Sequence, residues 1–522
     1  MSTVGQALNS TAAAAPIVIG FFENLKADAA LGMTRLLLRS YWSRIWIVQE
    51  ITMGGDKSTV ICGARRFAMH DLLRCGKLLR AGLGSGLLNR HLRLDTDSET
   101  DFLTLGDFQT GITKLNTLHD VKTNCREESQ ELPASNTLWF RIPSSCNATD
   151  SRDLVYGMLN LLPRKLTELI DVDYSEDNKF VDVMTNFATA HIKSTNSLYW
   201  ILHRPFAPFL GHAEWPSWVP NLALPYSSAH WSWPSQASQA GPNTPPTFTF
   251  SKDVATGKPL LFCKGVYIDT INEATQSIVM DRLEKARELA QYCMDSFNSE
   301  PSEETYSLIE DIQDKMVTLQ SSFIADTTED EEFTEMPTSV TESKYRDLSG
   351  LKSALTDCFN HLGLSFESGY TLFDIPHDLG ASDEIDTQQL QSSSLINIPE
   401  AIIVEQLREV LNCFKLWGRS FSDFFPAHLA DVGADSFSLP QIKDRTVTLG
   451  RLFTTCGGYV GTCLGSVRPG DKLFFLYGCH MPVILRRSTT CPGAYSLQGG
   501  AYVAGLDWSQ LQDVIDETIS IC

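Results

Sequence analysis

The stretch Ser40-Tyr41-Trp42-Ser43-Arg44-Ile45-Trp46-Ile47-Val48-Gln49-Glu50-Ile51-Thr52-Met53, followed by Gly54-Gly55, decides how the first part of the chain is read. Trp42, Ile45, Trp46 and Gln49 recur at helical spacing, which predicts one helix with these residues along a stripe. Ser40 is placed to cap its start and the glycines to end it. The two tryptophans, one turn apart, point first to core packing, with stacking on a ligand as the alternative. Thr59–Cys62, a run of β-formers stopped by Gly63, predicts a short buried strand after the helix.

Working outward, Asp153–Leu162 reads as a core helix ended by Pro163. Phe180–Ile192 reads as another, with Phe180, Val183, Met184, Phe187 and Ala190 on one face. Residues 86–150 are polar and weakly periodic, which predicts long loops. Pro225–Thr249, dense in Ser, Pro and Trp, predicts irregular backbone, and Leu260–Ile271 a strand entering a turn. Leu283, Ala286, Leu289, Ala290, Cys293 and Phe297 form a helical stripe. The acidic peak Glu329-Asp330-Glu331-Glu332 marks a solvated stretch. A helix is predicted from Asn397, capped in box fashion with Glu400 and closed by Gly418. The tail changes to short β-like runs at Lys472–Tyr477, Pro482–Arg486, Ala494–Leu497 and Ala501–Val503, which predicts a small antiparallel sheet or partial barrel. The expected layout is an α/β block over 1–225, linker, strand and helix over 226–298, an acidic and partly disordered insert over 299–395, a helical region over 396–430 and a β-rich region over 431–522. Taken together this is an α+β chain.

The bulk composition excludes several classes. Of 522 residues, 43% are hydrophobic and 20% charged, enough apolar matter for sizeable cores and against global disorder. The formal net charge of −21 opposes phosphate binding, so no nucleic-acid partner is expected. No run of about 18 apolar residues suggests a membrane span, and Ala12–Phe22 has no basic segment before it to make a secretion signal. Thirteen cysteines without a C-x-x-C pair read as reduced thiols of a cytoplasmic protein rather than a disulfide framework or a metal site.

Catalytic signatures of the usual kinds are missing. Gly82-Leu83-Gly84-Ser85-Gly86 has the wrong spacing for a dinucleotide loop or a nucleophile elbow, and neither a P-loop nor an H-E-x-x-H pair occurs. Cys479-His480 are adjacent in sequence, but a thiolate–imidazole pair needs an oriented base in space, so a buried or turn role is the simpler reading. Gly458, Gly461, Gly470 and Asp471 suit β-turns, with a ligand loop as the alternative.

A resemblance carries the functional reading further. Arg44-Ile45-Trp46-Ile47-Val48-Gln49-Glu50 resembles the R-x-W-x-x-Q-E signature of fungal heterokaryon-incompatibility (HET) domains, and Cys62-Gly63 their Cys-Gly turn. Asp153-Leu154-Val155-Tyr156-Gly157-Met158-Leu159 is similar to the family's D-x-V-Y-A-L-L helix, and Asp173-Tyr174-Ser175 to its D-Y-S turn. Trp215-Pro216-Ser217-Trp218-Val219-Pro220-Asn221 is close to P-S-W-V-P-D, with Asn221 in place of Asp. In the tail, Gly458-Tyr459-Val460-Gly461, Pro469-Gly470-Asp471 and Tyr502-Val503-Ala504-Gly505 match in order, while Thr462-Cys463-Leu464 departs from the family's L-G-P. The family's opening Y-x-W-G strand and its W-I-D-x-x-C-I-N-Q segment have no counterpart before Arg44, so the resemblance implies a partial, TIR-like α/β layer.

That resemblance implies a role in fungal allorecognition and programmed cell death, exercised through protein partners. A second reading is an accessory protein of a biosynthetic gene cluster. HET domains also resemble TIR domains, some of which cleave NAD; on that analogy Glu50 would be the catalytic carboxylate, stabilising an oxocarbenium-like transition state, with NAD as substrate and no bound cofactor or metal. The alternative is that Glu50 ends an amphipathic helix and pairs with Arg44 or a backbone donor. Arg44, Trp46, Gln49, Asp153, Tyr156 and Trp218 are the remaining motif positions, with Tyr156 and Asp153 suited to packing and capping.

Overall fold

The computed structural model describes residues 32–33, 35–54, 58–84, 105–124, 142–143, 146–203, 215–223, 245–275, 345, 348–361, 415–420, 424, 451–463, 465, 467–506 and 516–522. The helix expected over Leu283–Phe297 lies outside them, as do residues 397–414 of the helix expected from Asn397, the acidic peak at 329–332 and the Gly82-to-Gly86 side chains. At the end of that second helix, Gly418 turns a short hairpin over 415–420 instead of closing a helix.

The signature stretch does not make one helix. Ser40–Ser43 forms a 3-10 turn, Arg44 is extended (φ −76°, ψ 130°), and helix α1 begins only at Trp46, running Trp46–Met53. The break has a cause: Arg44 bridges Asn147, whose N–H donates to Ser43 O while Ile45 N donates to Asn147 O at 3.2 Å. Ser40 therefore caps nothing, whereas Gly54 closes the helix by donating to Glu50 O at 3.0 Å. The buried face is Ile47, Val48, Ile51 and Thr52, with Ile45 and Trp42 buried just before it. Trp46 faces outward, contrary to the expected stripe. Several aliphatic residues compete for the core here, and an indole with an N–H to satisfy sits well at a rim.

Strand β1 (Thr59–Cys62) and β2 (Arg65–Ala68) form an antiparallel hairpin across Gly63-Ala64, where Gly63 adopts φ +58°. The expected buried strand is instead half-exposed, with Ile61 64% accessible. Helix α2 (Met69–Gly84) packs on α3 (Leu105–Asn124), a helix where long loops were expected. Its core side carries Ile112, Leu115, Leu118 and Val121, but also buried Asn116, Thr117 and Lys122, and these polar residues blur the periodicity. Two of them have a visible office: Asn116 Nδ2 donates to Gly76 O at 3.1 Å, joining the two helices, and Lys122 Nζ donates to Ile51 O at 3.3 Å. Among the described residues of 1–225, the β1–β2 hairpin and the Arg44–Asn147 bridge are the only strand pairings.

The expected helix over Asp153–Leu162 is broken at Gly157. Helix α4 spans Asp153–Tyr156, a 3-10 turn follows at Leu159–Leu161, and α5 spans Arg164–Thr167. Helix α6 (Phe180–Thr195) buries Val183, Met184, Phe187 and Ala190 as its spacing predicts, and ends on Asn196 in the left-handed region.

The second half is built on one sheet. Strand β3 (Phe248–Lys252) pairs with β4 (Pro259–Ala274), far longer than the strand expected at Leu260–Ile271. Helix α7 (Leu348–His361) falls in the region read as an acidic insert, and buries Leu351, Ala354, Leu355, Cys358 and Phe359. A small hairpin, β5 (Lys415–Leu416) and β6 (Arg419–Ser420), precedes β7 (Arg451–Thr455), β8 (Val460–Cys463), β9 (Lys472–Leu476), β10 (Val483–Arg487), β11 (Tyr495–Val503) and β12 (Glu517–Ile521). The two runs expected at Ala494–Leu497 and Ala501–Val503 are thus one strand, continuous through Gly499-Gly500.

Strand β4 pairs with β9, β9 with β10, β10 with β11, β11 with β8, β8 with β7, and β7 returns to β4, all antiparallel. This ring is a six-stranded barrel, in which closure removes free edges. Strand β4 serves both neighbours because its register shifts at Tyr267/Asp269 and again at Ile271/Glu273, and such bulges bend a strand. Its first half carries β3 on one side and β12 on the other. One apolar cluster (Ile271, Phe453, Tyr459, Cys463, Val467, Leu473, Ile484, Ala501, Val503) belongs to the barrel strands and their turns alone. A second joins Leu261, Phe474, Val483, Leu497 and Ile519 of the sheet to Phe187, Trp200 and Trp218 of the helical part. The fold is mixed α+β with a C-terminal antiparallel sheet. Strands from 226–298 and 431–522 share that sheet, so it spans the expected boundary.

Candidate functional site

Three of the motif segments, 44–50, 153–159 and 173–175, meet at one surface. From α1, the Trp46 indole Nε1–H donates to Asp153 Oδ2 at 3.1 Å, and from the 171–178 loop the Tyr174 hydroxyl donates to Asp153 Oδ1 at 2.6 Å. Both oxygens of one carboxylate are thereby engaged by aromatic donors. Burial and the hydrogen bond to Asp153 push the Tyr174 phenol far above its ordinary range, so it stays protonated as the donor.

Beneath this, Gln49 Nε2 donates to Gly157 O at 2.6 Å and its Oε1 accepts from Asn160 Nδ2 at 3.2 Å. The helix break at Gly157 is what frees that carbonyl for a side-chain donor. The buried Tyr156 hydroxyl donates to Asp173 O at 3.2 Å and accepts from Asn178 Nδ2 at 3.3 Å. Arg152 ties the loop down. It grips Asp150 through Nε and Nη2, donates from Nη1 to Ser175 O (2.8 Å) and Asn178 O (3.0 Å), and holds its guanidinium 5.2 Å above the Tyr174 ring. The Arg152 hydrogen bonds draw the Asp150 carboxyl below its usual range, and the Ser175 backbone N–H does the same for Asp173.

Glu50 is exposed, and among the described residues its carboxylate forms neither a hydrogen bond nor an ion pair, with Arg44 or any other group. The pairing expected of it is absent. It lies near the Tyr41 hydroxyl, whose pKa is raised by burial first and by Glu50 second. Trp42 is buried as expected, while Trp46 keeps 38% of its surface accessible and Tyr174 keeps 45%.

The other motif residues serve the barrel. Trp218 is fully buried, donates Nε1–H to Pro259 O at 3.3 Å and packs on Phe250. Gly458 turns β7 into β8 at φ +90°. Gly461 sits where a Cβ would collide with the Phe453 ring and Tyr502 O. Gly470 adopts φ +85° and donates to Ile271 O at 2.9 Å, and Asp471 is a buried ion-pair partner of Arg486. These are turn, close-approach and ion-pair roles. Cys479 is buried with its thiol pushed far up by burial, and burial lowers His480 to about 4. Both groups are held neutral, the opposite of an activated thiolate–imidazolium pair.

Sequence reasoning did not single out Arg152, Tyr174 and Asn178 as site residues. The Asp173-Tyr174-Ser175 motif carried the signal for the tyrosine; Arg152 had none, because the carbonyls of Ser175 and Asn178 that it holds to the site lie more than twenty residues away. Among the described residues, no group of three His, Cys, Asp or Glu side chains is placed to hold a metal ion, and no helix is long and apolar enough to cross a membrane. Compared with protein-family models, curated proteins and solved structures, the chain gives no significant match to any of them.

Proposed function

We propose that the chain is a HET-domain-like protein of fungal allorecognition and programmed cell death, working in the cytoplasm through protein–protein contacts. The observation that carries this reading is the convergence of three motif segments, distant in sequence, on Asp153, Gly157 and the 171–178 loop. Residues chosen for independent local reasons would have no cause to hydrogen-bond to one another. Hydrogen bonding among these motif positions supports reading them as one signature rather than as separate local matches. The surface they create keeps two aromatic rings accessible, a composition that suits a protein contact.

The test is controlled expression in a filamentous fungal host, scoring growth arrest for the chain as given, for an upstream-extended form, and for Trp46→Leu with Tyr174→Leu in each. Growth arrest lost in the double variant supports the reading. Normal growth with both forms of the unaltered chain overturns it.

A further inference from the structure

We propose that the surface formed by Tyr41, Trp46, Glu50, Asp153 and Tyr174 is a docking site for an arginine-bearing segment of a basic protein partner. This rests on the protein–protein reading above and specifies the chemistry of the partner. Three observations converge on it. Tyr41 (42% accessible), in the 3-10 turn before α1 and within electrostatic reach of Glu50, and Met53 (66%), two helical turns beyond Trp46, add to the exposed aromatic pair, so this region presents several large apolar side chains that no described element covers. Such a patch marks an interface more often than a bare surface.

The rings are also held in place. Trp46 and Tyr174 donate to the two oxygens of the same carboxylate, which fixes both before a partner arrives and reduces the ordering entropy that binding would cost. One face of Tyr174 already accepts a guanidinium from Arg152 at 5.2 Å, so this ring environment accommodates arginine within the chain itself.

Charge selects the partner. Glu50 is an exposed carboxylate with no hydrogen-bond or ion-pair partner among the described residues, one helical turn from Trp46. The adjoining loop adds exposed Asp171, Asp173, Glu176 and Asp177; of the cations nearby, Arg152 is spent on Asp150 and backbone carbonyls, and exposed Arg44, which also lies close to Tyr41, makes no ion pair with Glu50, so carboxylates outnumber free cations here. Aromatic faces beside an unpaired carboxylate attract a weakly hydrated planar cation, and arginine meets both demands better than lysine.

The experiment uses the full chain and a synthetic octapeptide alternating glycine and arginine, titrated by calorimetry at about 0.15 M salt, where diffuse attraction is screened. Binding is expected, with a shift of the Trp46 indole N–H resonance assigned through Trp46→Phe. Glu50→Lys, at a site with no internal partner to lose, is expected to weaken it about tenfold or more. Replacing arginine by citrulline, which keeps the shape without the charge, should abolish it. A variant with residues 329–332 neutralised controls for the acidic stretch elsewhere and should bind as the parent does. The proposal is overturned if the peptide does not bind, if Glu50→Lys leaves affinity unchanged, if the citrulline peptide binds equally, or if neutralising 329–332 removes binding. Growth arrest that persists in Glu50→Lys keeps the effector reading and rejects this docking site. Peptide binding at the site by a chain that never arrests growth separates them the other way.

Discussion

Asp471 and Arg486 meet in the barrel wall through two hydrogen bonds of 2.8 Å each, Nε to Oδ1 and Nη2 to Oδ2. Asp471 is 3% accessible and also accepts from Arg468 N at 2.8 Å, so the carboxylate ties the turn before β9 to β10. A bidentate pair of this kind is costly to break from one side, because the surviving Arg486 guanidinium, only 26% exposed, stays largely desolvated without its counterpart. Asp471→Asn is expected to destabilise the protein by about 3 kcal/mol in urea unfolding. A loss under about 0.5 kcal/mol would mean the pair contributes no more than a surface one.

Gln49 is the point where α1 grips the break after α4. Gln49→Leu removes the donor to Gly157 O and strands a partly buried carbonyl, a change costing about 1–3 kcal/mol. Glu50→Ala, on the neighbouring residue with no partner among the described residues, should leave stability within about 0.5 kcal/mol. Thermal unfolding of the two variants side by side checks the contrast.

Ser217 seals the tail against the helices. Its hydroxyl donates to Cys522 O and accepts Leu497 N–H at 2.8 Å, while Ser217 N donates to Cys522 O at 2.8 Å. In Ser217→Ala the Leu497 amide loses its acceptor, at a cost of about 1–3 kcal/mol. Hydrogen exchange should quicken at Leu497 while Phe453, in the barrel interior, stays protected.

The buried His191 and the half-buried His480 give the stability a pH dependence. Burial lowers His191 to about 3 and His480 to about 4, from an ordinary value of 6.5. His191 stacks on Trp200 at 4.0 Å, with no hydrogen-bond partner for Nδ1 among the described residues. Between pH 6.5 and these values the unfolded chain binds protons that the folded chain refuses. Their contribution is therefore whole above pH 6.5 and declines as the pH falls, each histidine giving a slope of up to about 1.4 kcal/mol per pH unit. His191→Phe, which keeps a ring on Trp200, should flatten the profile between pH 6 and 4. An unchanged profile would show that His191 titrates normally in the folded state.

Some of this architecture was legible in the residues. The α6 face of Val183, Met184, Phe187 and Ala190 was readable because a whole apolar stripe falls on one side of a long helix. Strands β9 and β10 were readable because dense β-formers lie between turn residues. Helix α3 was hidden by Asn116, Thr117 and Lys122, polar groups whose buried positions make sense only beside Gly76 and Ile51. Likewise Arg44 interrupts a helical pattern for the sake of Asn147, a hundred residues downstream.

The sequence by itself determined the α+β composition, the strand-rich tail and the motif segments, since periodicity and turn chemistry act over a few residues and need no knowledge of distant neighbours. Only the tertiary structure decided that α1 turns Ile47, Val48 and Ile51 inward and leaves Trp46 at the rim, or that β4 bends twice to close a barrel with strands nearly two hundred residues later. Those outcomes follow from long-range competition for one buried volume and from the need to pair every strand edge. Neither is encoded within a single segment.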